Sequence, residues 1–141
     1  MGVCYESFSP NSSRFLHTQL MPVWENLSSY ISNLTMLPFG FAKCQHIDKN
    51  IFECFCDNGD DECLSQQMLN CIINYHPKPK DHVPILFSLQ NKTIDQAKPI
   101  LKKYKLNVKR ILTCAKGNQG NQRCTEFEAS FAMHTIYDLY F

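Results

Sequence analysis

No Cys-x-x-Cys occurs in this chain, although it holds eight cysteines, so the spacing on which most dithiol chemistry depends is missing. No apolar run approaches the ~18 residues of a membrane span, which argues against a transmembrane helix. Heptads, internal repeats and low-complexity tracts are absent, which excludes coiled coils and solenoids. Asn118-Gln119-Gly120 does not make a phosphate-binding loop and most simply ends a helix. The acidic run Asp57, Asp60, Asp61 and Glu62 lacks the ~12-residue spacing of a calcium loop and reads as a solvated loop. His17, His46, His76, His82 and His134 are scattered, none beside a nucleophile, so no Ser-His-acid site is expected. No leader-like segment opens the chain; Met1-Gly2 reads as an addition before a mature chain, because residue 3 already has strand character.

What is present points away from the cytosol. Cys4, Cys44, Cys54, Cys56, Cys63, Cys71, Cys114 and Cys124 form an even, dense set suited to an oxidising compartment, and all eight are disulfide candidates. Their connectivity is open, since eight cysteines allow about 105 pairings. Asn11, Asn26, Asn33 and Asn91 each begin an Asn-x-Ser/Thr acceptor for glycosylation. A secreted protein is expected, with a lysosomal location as the alternative. Cys54-Phe55-Cys56 with Cys63 reads as a disulfide-stapled loop. A zinc site from Cys44, His46, Cys54 and Cys56 is disfavoured, because secretory thiols oxidise. No metal and no cofactor is expected.

Charge is divided unevenly. From His76 to Cys124 eleven basic residues face only Asp81 and Asp95, a local net charge of +9, while residues 1–75 carry −5 and 125–141 carry −3. Such a stretch is either a solvated helical face or an attractor of anionic partners. The candidate binding residues are Lys98, Lys102, Lys103, Lys105, Lys109 and Arg110.

The apolar pattern predicts a strand over Val3–Ser7 and a helix capped by Ser12 or Ser13. Phe15, Leu16, Leu20, Val23, Trp24, Leu27, Tyr30 and Ile31 supply that helix's apolar face, and Pro22 should kink or split it. Residues 33–42 read as a second strand, parallel to the first. Residues 43–63 read as loop, 64–75 as helix, and 76–84, with three prolines, as a connector. Further helices are expected over 93–105, 108–115 and 125–133, then a strand over 134–141. Trp24, Tyr30, Phe39 and Phe41 are expected in the core.

Several motifs then converge. Tyr5-Glu6-Ser7, a four-residue window and Arg14-Phe15 are followed by Gln19-Leu20-x-Pro22-x-Trp24 and Leu37-Pro38-Phe39-Gly40-x-Ala42. Cys56-x-x-Gly59-x-x-Glu62-Cys63 and Cys114-Ala115-x-Gly117-x-x-Gly120 complete the set. In this order the chain resembles the gamma-interferon-inducible lysosomal thiol reductase family, in particular its divergent insect-type members. The resemblance implies an α/β, thioredoxin-like fold with a disulfide-rich helical insertion over about 43–115, in one domain spanning 1–141. It also implies reduction of protein disulfides. Ser9 and Ser12, however, stand at the two redox positions. Asp57-Asn58 replaces a Gln-His pair, Phe41 a usual Asn, and Asp138 falls near a usual cis-proline. The chain ends where the last strand should still be running, so the C-terminal sheet is expected to be incomplete.

A serine hydroxyl is far less acidic than a thiol and forms no mixed disulfide. The sequence is therefore expected to encode a secreted protein without thiol reductase activity, with no catalytic residue. Its expected partner is a cell-surface or microbial-surface protein or an anionic glycan, and not nucleic acid. A homo-oligomer through an open sheet edge is a further expectation. The alternative is residual disulfide reductase or isomerase activity through cysteines such as Cys54 and Cys56.

Overall fold

The computed structural model describes residues 2–39, 42–49, 51–122, 125 and 139–140. Its centre is β1 (Gly2–Tyr5), in which Val3, Cys4 and Tyr5 are all buried. A continuous apolar run of this kind suits a parallel strand covered on both faces. β2 (Thr35–Pro38) lies parallel on one side, with Val3 opposite Met36 and Tyr5 opposite Pro38. β5 (Leu139–Tyr140) lies parallel on the other, giving the order β2-β1-β5. The mixed α/β class and the parallel β1–β2 unit match the sequence reading. The expected strand over 134–141 is present at residues 139–140; the rest of it lies outside the described residues, as does almost all of the expected helix over 125–133.

The first helix is split as Pro22 requires. α1 (Pro10–Phe15) passes into a π-helical turn (Leu16–Leu20) and then α2 (Met21–Leu27). The Met21 N–H donates to the Leu16 carbonyl five residues back. This wider turn relieves the clash that a proline ring otherwise makes with the preceding turn. An inserted residue also rotates the apolar face by about 100°. Phe15, Leu16, Leu20 and Trp24 are buried, but Val23, Leu27 and Tyr30 are exposed, Tyr30 at 83%. The expectation that Tyr30 belongs to the core is thereby corrected. Phe39 is in the core and Phe41 lies outside the described residues.

Two segments differ from expectation. Residues 43–63 are not loop throughout: β3 (Lys43–Asp48) and β4 (Ile51–Phe55) form an antiparallel hairpin, with Cys44 directly opposite Cys54 and bonded to it. Asn118 accepts from the Phe52 N–H at 3.3 Å and Asn121 donates to the Phe52 carbonyl at 2.8 Å, which anchors β4 from outside. The 76–84 connector is mostly helix, because α4 (Pro79–Leu89) begins on a proline. Pro79 occupies the first turn, where its missing N–H costs nothing and its φ is already helical.

The core is organised by α3 (Asp60–Tyr75), which buries Met68, Leu69 and Ile72 against Val3, Tyr5 and Met36. α5 (Ile94–Lys103) contributes Ala97 and Leu101, and α6 (Val108–Lys116) contributes Ile111. A capping box of Thr93 and Gln96 starts α5, and Asn107 caps α6. Gly120 packs so closely that an added Cβ would lie 2.6 Å from the Ala115 carbonyl oxygen. Among the described residues no helix is long and apolar enough to cross a membrane.

Cys71–Cys114 ties α3 to α6 across 43 residues. Closing a loop of that length should stabilise the fold by about 4 kcal/mol through the unfolded chain. The double variant Cys71→Ala/Cys114→Ala should lose several kcal/mol in chemical denaturation; a loss below about 1 kcal/mol would contradict that role. His82 is buried, with Nδ1 2.7 Å from the His76 carbonyl oxygen and Nε2 enclosed without a partner. Burial lowers its pKa below the ordinary 6.5, against smaller upward pulls from that hydrogen bond and from Asp81. The unfolded chain therefore takes up the proton first. Stability is expected to be intact above pH 6.5 and to fall as the pH drops below it towards the folded value. His82→Gln should flatten that slope in pH-dependent thermal melts; an unchanged slope would rule His82 out.

Candidate functional site

The mouth of α1 is where the sequence places its degenerate redox window. Ser9 has extended backbone and is the true N-cap: its Oγ accepts from the Ser12 N–H at 3.3 Å. Neither Ser12 nor Ser13 caps the helix, because Pro10 suits the first helical position and moves the start forward. Ser12 is fully buried and its Oγ accepts from the Glu6 N–H at 3.1 Å. Both hydroxyls thus act as backbone acceptors. Each satisfies an amide that the strand-to-helix turn leaves without a ladder partner.

The window is held from two further sides. On one, Gln90 donates to the Glu6 carbonyl at 2.8 Å and the Asn91 N–H donates to the Ser7 carbonyl at 2.9 Å. On the other is Glu62, only 1% exposed. Its carboxyl group accepts from the Phe8 N–H at 3.1 Å, from the Asn58 N–H at 3.3 Å and from Asn58 Nδ2 at 2.8 Å. Glu62 is therefore not part of a solvated acidic loop, unlike Asp57, Asp60 and Asp61, which are exposed. The loop that delivers it is shaped by Gly59, with φ +91°, and by the Cys56–Cys63 bridge. Its position three residues into α3, where a Glu reaches back to orphan amides, is the signal that could have marked it in the sequence.

The cysteines proposed for residual chemistry are both in disulfides. Cys54 is bonded to Cys44 and Cys56 to Cys63. Cys4 is buried in β1, and Cys124 lies outside the described residues, as does Asp138. Asn11, Asn26, Asn33 and Asn91 are all exposed.

The candidate basic residues gather on the α5–α6 hairpin. Lys98 pairs with Asp95 at 2.7 Å, an interaction that lowers the Asp95 pKa, with Lys116 adding a smaller pull from α6. Asp95 is thus spent at the start of α5. Lys102, Lys103, Lys105 and Lys109 surround the exposed turn at its other end, with Lys105 in the left-handed region at φ +58°. Arg110 stacks over the Tyr75 ring at 4.0 Å. Both line an open hollow of about 470 Å³ with Asn107, Lys109, Thr113 and Gln119.

Residues 1–118 match the family profile described as gamma interferon inducible lysosomal thiol reductase. The chain is 33% identical over 125 residues to a GILT-like protein of Caenorhabditis elegans, covering 86% of this chain and 38% of that one. It is 28% identical over 127 residues to a gamma-interferon-inducible lysosomal thiol reductase of Carassius auratus, covering 86% and 49% respectively. The chain thus spans half or less of the length of these relatives.

The geometry assigns the window residues to structure. Ser9→Ala and Ser12→Ala should each cost about 1 kcal/mol by loss of an acceptor. Glu62→Ala leaves several amides unpaired and should cost about 3 kcal/mol in denaturant melts. A Glu62→Ala chain as stable as the parent would refute the clamp.

Proposed function

Because the chain belongs to the gamma interferon inducible lysosomal thiol reductase family, we propose that it is a thiol reductase relative that has lost its chemistry and works by binding. Disulfide exchange needs a thiolate to attack and a second thiol to resolve the mixed disulfide. The α1 mouth offers Ser9 and Ser12 instead, both engaged by backbone amides. That engagement is the observation that carries the reading. The helix dipole that lowers a thiol's pKa there has no comparable effect on an alcohol.

The binding surface is the α5–α6 turn with Lys102, Lys103, Lys105, Lys109 and Arg110. Its partner is an anionic cell-surface or microbial-surface glycan or a protein that bears one, met outside the cell. The hollow beside Arg110 and Lys109 has both cations and neutral hydrogen-bonding groups, as a sulfated or carboxylated sugar requires. Exposed lysines around a convex turn attract such a chain at long range, and the attraction weakens as salt shortens the Debye length to ~8 Å.

Two measurements test this reading. Reduction of insulin by the purified chain should stay at the level of the reductant alone at acidic and neutral pH; turnover abolished by Cys54→Ser or Cys56→Ser would establish the residual-reductase alternative. Retention on immobilised heparin should fall steeply with salt, and Lys102→Glu/Lys105→Glu/Lys109→Glu should elute much earlier. Unchanged retention in that variant would dismiss the basic face.

A further inference from the structure

The four glycosylation acceptors are not scattered evenly over the fold. Asn11 is the second residue of α1, inside the Ser9–Ser12 window, and it is exposed. Asn91, the other acceptor near this point, approaches the same mouth from the α4–α5 turn. Its Nδ2 donates to Ser13 Oγ at 2.9 Å, and its N–H holds the Ser7 carbonyl. Ser13 is itself the hydroxyl residue of the Asn11-Ser12-Ser13 acceptor. Two acceptors of separate origin in the chain therefore converge on one helix terminus. The remaining two, Asn26 and Asn33, lie beyond the π-helical turn.

We propose that Asn11 carries an N-linked glycan that roofs the mouth of α1, with Asn91 as a second attachment point at its rim. The Asn11 side-chain amide nitrogen attacks the anomeric carbon of a lipid-linked oligosaccharide. The new carbon–nitrogen bond replaces the carbon–oxygen bond to the lipid diphosphate, which leaves, and the amide gives up one proton. No oxidant or reductant takes part.

The fold dictates when this happens. In the native chain Ser13 Oγ is engaged by Asn91, and Thr93, the hydroxyl residue of the second acceptor, caps α5. Both hydroxyls are available to a transferase only before these contacts form, so attachment precedes folding. Afterwards the exposed Asn11 directs its glycan outwards over the window. α5 runs about 15 Å from this rim to the basic turn at its far end, at the helical rise of ~1.5 Å per residue. A large protein substrate is then excluded from the mouth by bulk, independently of whether a thiol or a hydroxyl lies beneath. This inference rests on the geometry of the mouth and not on the basic surface, so either can fail without the other.

The test begins with the full chain, unaltered, secreted from a eukaryotic host. Glycan removal by amidase in heavy-oxygen water converts an occupied asparagine to a mass-marked aspartate. Asn11 should carry the mark, and an unmarked Asn11 overturns the proposal. The second arm uses Ser9→Cys as a reporter thiol. Adding Asn11→Gln to that variant should speed labelling by a maleimide on a long polyethylene glycol by about an order of magnitude. Labelling by N-ethylmaleimide should not change. Equal rates for the large reagent with and without the acceptor would refute the roof even if the sugar is present.

Discussion

A buried carboxyl group ties the start of α3 to the turn that follows β1. Glu62 lies in the first turn of α3, and it accepts the Phe8 N–H 54 residues earlier. Burying such a group is costly unless its oxygens are satisfied, and Glu62 meets that cost with three donors. The surrounding signature follows from the requirement to put it there. Gly59 supplies a backbone turn at φ +91°, and the Cys56–Cys63 bridge fixes the loop against the helix. Asp60 and Asp61 stay outside, where the positive end of the helix favours them. These residues hold the window in shape whatever chemistry it performs.

That separation of shape from chemistry lets hydroxyls stand at Ser9 and Ser12 without disturbing the turn. An oxygen at Ser9 caps α1, and one at Ser12 receives the Glu6 N–H, roles worth about 1 kcal/mol each. Neither forms the bonds that electron exchange requires. The bridges Cys44–Cys54 and Cys71–Cys114 brace the hairpin and the α3–α6 pair, and Cys56–Cys63 braces the loop that carries Glu62 to the window. The positive charge gathers at the α5–α6 turn, where local acids are absent beyond Asp95.

Much of this was legible in the residues. The buried run of β1, its parallel partner, the break at Pro22, the α5 helix and the end of α6 at Gly117 all follow from local pattern. The basic cluster on α5 and α6 was equally visible, with Lys102, Lys103, Lys105, Lys109 and Arg110 exposed and Lys98 half-buried against Asp95. The hairpin of β3 and β4 was not, because most of its residues are exposed and no apolar alternation marks a buried side. Pro79 was read as a breaker when it serves as a first-turn residue. The π-helical turn rotated Tyr30 out of the core, a phase shift that regular periodicity does not contain. Glu62 was hidden for a different reason. Its place three residues into α3 was the local cue, but its partner at Phe8 is 54 residues away, beyond the reach of any local pattern.

The start of α3 clamps the turn after β1 through Glu62. Native-state amide hydrogen exchange at Phe8 tests this most directly. The account predicts that the Phe8 N–H exchanges only with the slow, core set of amides, together with those of β1. An exposed-amide rate at Phe8, while β1 remains protected, would contradict it.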